Sequence, residues 1–316
     1  MEQQVLDSKL CKIRTLNVDT RFRDISTQES TDFQFTLPSP LKNIIRFRLV
    51  SCEIPNVAYT FSPRKNNLSF RLVDAEREYV IMIAQGNYTV DSLLEFIQGQ
   101  FDTLAPGFKI ALVPGGHVKI SANRPFILDF LSQNPLQRTF DFGLGYNLGF
   151  RNKKYKPAKD LYIGPTCECG DEFFYVSEGL INVTGDTYYL LDIQDMEIMD
   201  HKSVDGSALR YFTKLILNQH QDMICFDYNS HMIRREITFP QPINIKQLRM
   251  RIMDTYGQVV DLNQANYSLT FEVTEITDTI QYEKFVKGTY ARMGSELAGE
   301  NGAQPSAVFP YRPYKA

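Results

Sequence analysis

The feature that most constrains the fold of this chain is a proline motif that occurs twice. Near the N-terminus the sequence runs Thr36-Leu-Pro-Ser-Pro-Leu41, and far downstream it runs Thr238-Phe-Pro-Gln-Pro-Ile243. Because proline lacks a backbone N–H and fixes φ, a Pro-x-Pro segment can end a strand and turn a corner, but it does not fit inside a sheet. The sequence therefore predicts two sharp bends between strands.

Each bend is followed by strict alternation of apolar residues and arginine. The first copy continues as Ile45-Arg-Phe-Arg-Leu49 and the second as Leu248-Arg-Met-Arg-Ile252. This period of two is typical of a strand with one buried and one solvated face. Within Ile44–Ile54 the apolar phase changes after Leu49, which indicates a β-bulge or a crossing between sheets. Two strand-bend-strand units near opposite ends of a domain predict a mainly all-β sandwich closed by its first and last strands.

The amino-acid composition argues against several functional classes of protein. The 316 residues include 22 Phe, 17 Tyr and no Trp, and the net charge of −3 argues against a dedicated nucleic-acid binder. No apolar run approaches the roughly 20 residues of a membrane span. The segment Met1–Gln4 lacks the features of a secretory signal, so we expect an intracellular protein with reduced thiols. The five cysteines are scattered: Cys11, Cys52, Cys167, Cys169 and Cys225.

Periodicity divides the chain into a central domain and two arms. Residues 1–31 show little periodicity and are predicted to form an N-terminal arm, and strand patterns extend from 32 to 276. Within this domain, residues 68–131 are predicted to be an inserted segment with a helix and a hairpin. Thr89 is the expected N-cap of the helix, because Val90 to Leu104 place apolar residues at helical spacing.

The C-terminal segment, residues 277–316, contains several glycines that favour an arm over a packed core. It nevertheless ends in an aromatic, proline and arginine sequence. Aromatic residues and arginine are enriched in protein interfaces, so this ending is predicted to dock on a neighbouring molecule. The residues proposed for that contact are Phe309, Tyr311, Arg312 and Tyr314.

No constellation in the sequence predicts catalysis, a cofactor or a metal. Cys167-Glu-Cys169 has narrower spacing than zinc sites normally show and lacks a second pair. The acidic stretch 186–205 is best explained as a solvated strand face and its exit loop, with a Ca²⁺ site or an inter-subunit salt bridge as the alternative. The four histidines, His117, His201, His220 and His231, are dispersed.

The two arginine pairs have two possible roles. Arg46/Arg48 and Arg249/Arg251 fit an ordinary polar strand face, and they also fit a basic ladder that faces another subunit. A further candidate contact is the N-terminal run Arg21-Phe22-Arg23.

Several motifs, taken in order, resemble a known family. They are Asn17-Val-Asp-Thr-Arg-Phe-Arg-Asp24, the proline run ending at Asn43, Gly86-Asn-Tyr-Thr89, Asn147-Leu-Gly-Phe-Arg151, Tyr188-Tyr-Leu-Leu-Asp-Ile193 and Phe239-Pro-Gln-Pro-Ile243. Together they resemble the penton and minor capsid proteins of nucleocytoplasmic large DNA viruses, in particular the algal and giant-virus branch. The likeness runs from about Val18 to Ile276.

This resemblance implies a jelly roll of about eight strands, without catalysis or a cofactor. We expect a virion capsid protein, assembled in the host cell cytoplasm, whose partners are itself (as a homopentamer) and the major and minor capsid proteins. In a jelly roll the first and last strands are neighbours, so strand 32–37 should lie beside 267–275 and strand 44–54 beside 248–253.

Three alternatives remain open at this point. The first is a minor capsid (cement) protein beneath the major capsid shell. The second is a glycan- or receptor-binding jelly roll that uses tyrosines of the glycine-rich loop, namely Tyr146, Tyr155 and Tyr162. The third, and weakest, is a metal-dependent enzyme.

Overall fold

The structure, a computed structural model, describes residues 10–284 with nine gaps: 25, 27, 76, 131–142, 158–161, 166–170, 204–205, 218–223 and 227–234. Antiparallel strands dominate this part of the chain. The strands are β1 (Cys11–Asp19), β2 (Asp32–Pro55), β3 (Ser69–Val73), β4 (Glu78–Met82), β5 (Phe108–Val113), β6 (His117–Ala122), β7 (Ile127–Asp129), β8 (Lys154–Tyr155), β9 (Tyr162–Pro165), β10 (Asp171–Val176), β11 (Tyr188–Ile193), β12 (Met199–Lys202), β13 (Ala208–Tyr211), β14 (Thr213–Ile216), β15 (Ile224–Phe226), β16 (Glu236–Met253) and β17 (Ser268–Ile276). Among the described residues, two α-helices lie within the domain, α1 (Val90–Leu104) and α2 (Leu144–Asn147), and residues 279–284 at the end of the described chain are also helical.

The two proline motifs lie within two unusually long strands, β2 and β16. These strands pair antiparallel to each other, and their register shifts at the bends, where Thr238 pairs with Arg46 but Gln247 pairs with Thr36. Neither Pro-x-Pro segment has a ladder partner in this pairing, as expected for residues that cannot donate a backbone hydrogen bond. Each bend therefore carries one strand from one sheet into the other.

Counting the two halves of each bent strand separately gives eight segments in chain order: β1, the two halves of β2, β11, β14, the two halves of β16, and β17. We number these segments 1 to 8 in that order. One sheet then has the segment order 1-8-3-6 and the other sheet has the order 2-7-4-5. The first segment thus pairs with the last, and the second with the second-to-last. The fold is a jelly roll.

The specific strand pairs predicted from the sequence are wrong. The segment 32–36 pairs with 247–251, and the segment 44–53 pairs with 268–275, so the two partners are exchanged. The reason is that β1 is an additional first strand and occupies the place beside the last strand β17. The neighbour rule for jelly rolls holds once β1 is counted.

A single aromatic-rich core joins the two sheets. The ring of Phe47 stacks on Phe271 of the same sheet at 4.6 Å and meets Phe212, next to β14 of the other sheet, edge-on at 6.1 Å. All three side chains are fully buried. The predicted change of phase in β2 is confirmed as a bulge, because the pairing with β17 skips Val50.

Residues 56–187, which we call the inserted unit, connect β2 to β11 and form a second core. The predicted helix is confirmed as α1, which begins with a capping box between Thr89 and Ser92. Its buried residues pack against two four-stranded sheets, ordered β5-β6-β10-β9 and β4-β3-β7-β8. This core extends from Phe61 to Tyr175, so the unit is larger than the predicted segment 68–131.

The predicted N-terminal arm also differs from the structure. Residues 11–19 of the expected arm 1–31 form β1, which pairs with β17 along its whole length. Only Leu16 and Val18 of this strand pack on the core, so its apolar alternation is too short to be recognised from the sequence. The backbone N–H of Thr277 donates to the carbonyl of Leu10 at 2.9 Å, so the start of β1 lies beside the end of β17.

Candidate assembly surface

The tight turn after β1 presents the most exposed large apolar side chain among the described residues. Thr20–Phe22 form a 3-10 turn, and the Asp19 carboxylate caps it by accepting from the backbone N–H of Arg21 at 2.9 Å. Arg21 also donates to Asp19 from its side chain, which lowers the pKa of this carboxyl group. Phe22 follows and is 78% exposed.

The side chain of Arg23 holds this turn in place through hydrogen bonds. Its guanidinium is buried and donates to the carbonyl oxygens of Thr20 (2.6 Å) and Gln28 (3.2 Å), and to the side chain of Asn266. The Thr20 hydroxyl accepts from the backbone N–H of Tyr267 at 2.9 Å. Of the predicted trio, Arg23 therefore holds the turn, and Phe22 is presented by a rigid support.

A shallow recess lies beside this turn. Its volume is about 220 Å³, and its walls combine acidic, amide and aromatic groups. They are formed by Asp19, Arg21, Glu53, Pro55, Asn266, Tyr267 and Ser268. A rigid apolar projection next to a hollow is a shape that suits contact with a second molecule.

The four arginines of the predicted ladder lie on the outer faces of two different sheets. Arg46 and Arg48 alternate with the buried Phe47 and Leu49 of β2, and Arg249 and Arg251 alternate with buried residues of β16. The pairs therefore cannot form one continuous ladder within a subunit. Whether either pair contacts another subunit stays a prediction.

Cross-strand carboxylates face three of these arginines. Arg249 lies 2.8 Å from Asp32, the Nε of Arg251 lies 2.8 Å from Asp192, and Arg46 is 3.6 Å from Glu236. Opposite charges on neighbouring strands stabilise a sheet by a few tenths of a kcal/mol per pair, to about 1 kcal/mol. The arrangement fits the polar-face interpretation of the arginine pattern.

The remaining predicted contact residues, Phe309, Tyr311, Arg312 and Tyr314, lie outside the described residues. Among the tyrosines suggested for glycan binding, Tyr155 is buried, and its hydroxyl donates to Glu178 at 2.7 Å. Burial raises the pKa of Tyr155 to about 12. The expectation that Tyr155 is exposed is therefore wrong. Tyr146 is partly exposed and stacks under Arg151 at 4.3 Å.

Three acidic residues of the stretch 186–205, namely Asp186, Asp192 and Asp200, form ion pairs. Asp186 pairs with Lys65 at 2.9 Å, and Asp200 pairs with Arg210 at 3.2 Å. Within the described residues, no three His, Cys, Asp or Glu side chains are grouped to hold a metal ion. Cys167 and Cys169 lie outside the described part of the chain.

Two of the motifs quoted from the sequence fasten loops of the inserted unit. In Asn147–Arg151, the Asn147 side chain accepts from Asn67 at 3.1 Å and donates to the carbonyl of Asn182 at 3.0 Å. Leu148 and Phe150 are fully buried. In Gly86–Thr89, Asn87 accepts from the backbone N–H of Thr60 at 2.8 Å. The asparagines of these two motifs therefore have a structural role in the inserted unit.

Replacing Asp254 by asparagine should stabilise the protein at neutral pH. Burial raises the pKa of Asp254, so its ionised form is disfavoured in the folded state. Asparagine retains the acceptor oxygen for the backbone N–H groups of Tyr256 and Gln258.

The predicted gain depends on pH. Because the folded-state pKa of Asp254 is raised above the unfolded value, wild type recovers stability as pH falls through the folded-state pKa. The advantage of the Asp254→Asn variant should therefore shrink on acidification. Urea unfolding at several pH values checks this, and a gain independent of pH would contradict it.

Comparisons with known proteins find similarity in structure but not in sequence. No model of a known protein family matches this chain, and no curated protein matches its sequence. Among solved structures, the penton protein of mavirus is similar to this chain, with a TM-score of 0.34 and 9% sequence identity. The aligned region covers 85% of this chain and 100% of the mavirus protein. The jelly-roll assignment itself rests on the strand pairing described above.

No helix in the described part of the chain combines the length and apolarity needed to cross a lipid bilayer.

Proposed function

We propose that this protein is a structural capsid protein of a large icosahedral DNA virus, most specifically the penton protein that forms the fivefold vertex. In this role it assembles with itself as a homopentamer, contacts the major and minor capsid proteins, and resides in the virion capsid after assembly in the host cytoplasm. It needs no cofactor and is not an enzyme.

The observation that carries the proposal is the pairing order of the eight jelly-roll segments, with an inserted unit between the third and fourth. Such a sandwich is rigid, and its connections lie at its ends, where subunits of a closed ring meet. The Phe22 turn lies at one of these ends and is held rigidly by Arg23. Large rigid aromatic anchors beside a recess are typical of interface hot spots.

The second candidate is a minor capsid protein beneath the major shell. The inserted unit favours it, because a second core extends the molecule beyond the sandwich and offers further surface for contacts with several partners. Both roles use the same fold and differ in the symmetry of assembly.

Light scattering coupled to size-exclusion chromatography tests the proposal. The penton role predicts a discrete pentamer for the full chain, and the Phe22→Ala variant should shift it to monomer. Loss of a hot-spot aromatic costs about 2 kcal/mol or more per interface, or roughly thirtyfold in affinity. Unfolding of the variant monomer should be unchanged, because Phe22 is 78% exposed.

Met82→Ala is the matched control, since Met82 is also largely exposed (57%) but lies on the inserted unit. This variant should remain pentameric. A monomer or a mixture of species for the wild type would contradict the penton role and favour the minor capsid role. A pentamer that survives Phe22→Ala would show that the contact lies elsewhere.

A further inference from the structure

A cleft with two chambers separates the jelly roll from the inserted unit. The chain segments that enter and leave the inserted unit, 56–65 and 183–189, form its walls together with the loop 254–263. The chambers have volumes of about 340 and 350 Å³ and share three lining residues: Ala58, Lys65 and Asp186. The Lys65–Asp186 ion pair, with its 2.9 Å contact, therefore lies where the two chambers meet.

A buried hydroxyl group lines the second chamber without a hydrogen-bond partner among the described residues. Thr60 is 3% exposed, and its Oγ1 atom is unsatisfied within the described chain. Leaving a buried hydroxyl without a partner costs about 1–3 kcal/mol. Tyr189 of β11, which is 1% exposed, lines the same chamber. An unsatisfied buried hydroxyl at a cavity indicates a place where something else supplies the partner.

The chemistry of the walls identifies the class of partner. The lining offers three carboxylates, two cationic side chains and hydroxyl groups, so donors and acceptors of both signs converge. The charged residues are Asp186, Asp254, Asp261, Lys65 and Arg64. Amide side chains and an aromatic ring complete the lining, contributed by Asn56, Gln258, Asn263 and Tyr88. A strongly charged ligand would meet a like charge here. A neutral polyhydroxyl compound finds a partner for each hydroxyl group.

We propose that this cleft binds a neutral saccharide of one or two units, with the Thr60 hydroxyl as a specific hydrogen-bonding contact. The chamber volumes lie at the lower end of the range of about 300–1,000 Å³ that is usual for ligand sites. The proposal does not depend on the capsid assignment. The cleft thus becomes the proposed location of glycan contact, in place of the glycine-rich loop that contains Tyr146 and Tyr155.

Saturation-transfer NMR on the full chain, with a panel of neutral hexoses, N-acetylhexosamines and their disaccharides at millimolar concentration, tests the proposal. At least one sugar should receive saturation from the protein. The Thr60→Val variant, which keeps the shape of the side chain and removes the hydroxyl, should bind that sugar about tenfold more weakly. Its melting temperature should not fall, because the hydroxyl that is removed has no partner among the described residues of the free protein.

Thr20→Val is the matched control. Thr20 is also buried, but its hydroxyl accepts from the backbone N–H of Tyr267 at 2.9 Å, so this variant should melt earlier and bind sugar as wild type does. The proposal is overturned if no sugar of the panel receives saturation, or if Thr60→Val binds sugar unchanged. A melting temperature for Thr60→Val as low as that of Thr20→Val would also overturn it, since the hydroxyl would then have a structural partner.

Discussion

Replacing Gly149 by alanine should destabilise the inserted unit by about 4 kcal/mol, at the upper end of single-residue effects. Gly149 has φ of +93°, a conformation that costs an L-residue about 1–2 kcal/mol. A Cβ atom there would also lie 2.2 Å from the carbonyl oxygen of Gly179. That oxygen accepts from the Ser177 hydroxyl at 2.8 Å and cannot move freely.

Variants at two other glycines separate the cost of the backbone conformation from the cost of the steric contact. Gly206 has φ of +88°, and no described atom lies within 4 Å of the position that a Cβ would occupy, so Gly206→Ala should cost only the conformational part. Gly99 lies inside α1 with ordinary φ and open space, so Gly99→Ala should stabilise the protein by about 0.5–1 kcal/mol.

Urea unfolding of the three variants, followed by circular dichroism, measures the series. The expected order of stability is Gly99→Ala above wild type, Gly206→Ala slightly below it, and Gly149→Ala far below. Equal losses at Gly149 and Gly206 would show that the contact with Gly179 relaxes and that only the backbone conformation matters.

Local features of this fold were predictable from the sequence. The helix Val90–Leu104 follows from its spacing and its Thr89 cap, and the hairpin of β5 and β6 follows from Pro114-Gly-Gly-His117. The proline bends were also predictable, because a proline lacks a backbone N–H and cannot donate a ladder hydrogen bond at its own position in the strand. Each of these signals depends on residues that are close in sequence.

Long-range pairing was not predictable in the same way. Strand β1 carries the charged residues Lys12 and Arg14 among a few apolar ones, and its place beside β17 depends on a partner more than 250 residues away. Without this strand, a count of segments from the sequence is one too low. The neighbour rule then assigns both bent strands to the wrong partners.

The candidate cleft could not be predicted from local sequence patterns, for a related reason. Thr60, Lys65 and Asp186 look like ordinary loop residues, and Tyr189 looks like a core tyrosine of a strand. Only the folded chain shows that these residues line one cleft and that the buried Thr60 hydroxyl lacks a partner among the described residues. The buried Tyr155 is the converse case, because a glycine-rich loop suggested exposure while Glu178 and the core hold its side chain.

The Arg23→Ala variant should lose about 3 kcal/mol of stability, whereas the neighbouring Arg21→Ala variant should unfold almost as wild type does. Removing the buried guanidinium leaves the carbonyl oxygens of Thr20 and Gln28 and the side chain of Asn266 without this donor. It also leaves an unfilled volume. The side chain of Arg21 is 70% exposed, so solvent replaces most of its contact with Asp19.

The comparison of Arg23→Ala with Arg21→Ala distinguishes a structural arginine from a surface arginine. Both residues belong to the run that was predicted to contact a neighbouring molecule. Thermal unfolding of the variants measures stability, and light scattering measures assembly in the same samples. Arg23→Met, which restores much of the volume without the donors, should lie between Arg23→Ala and wild type. If Arg23→Ala unfolds like wild type and yet fails to assemble, Arg23 contacts the partner directly, and the Phe22 turn is held by Asp19 alone.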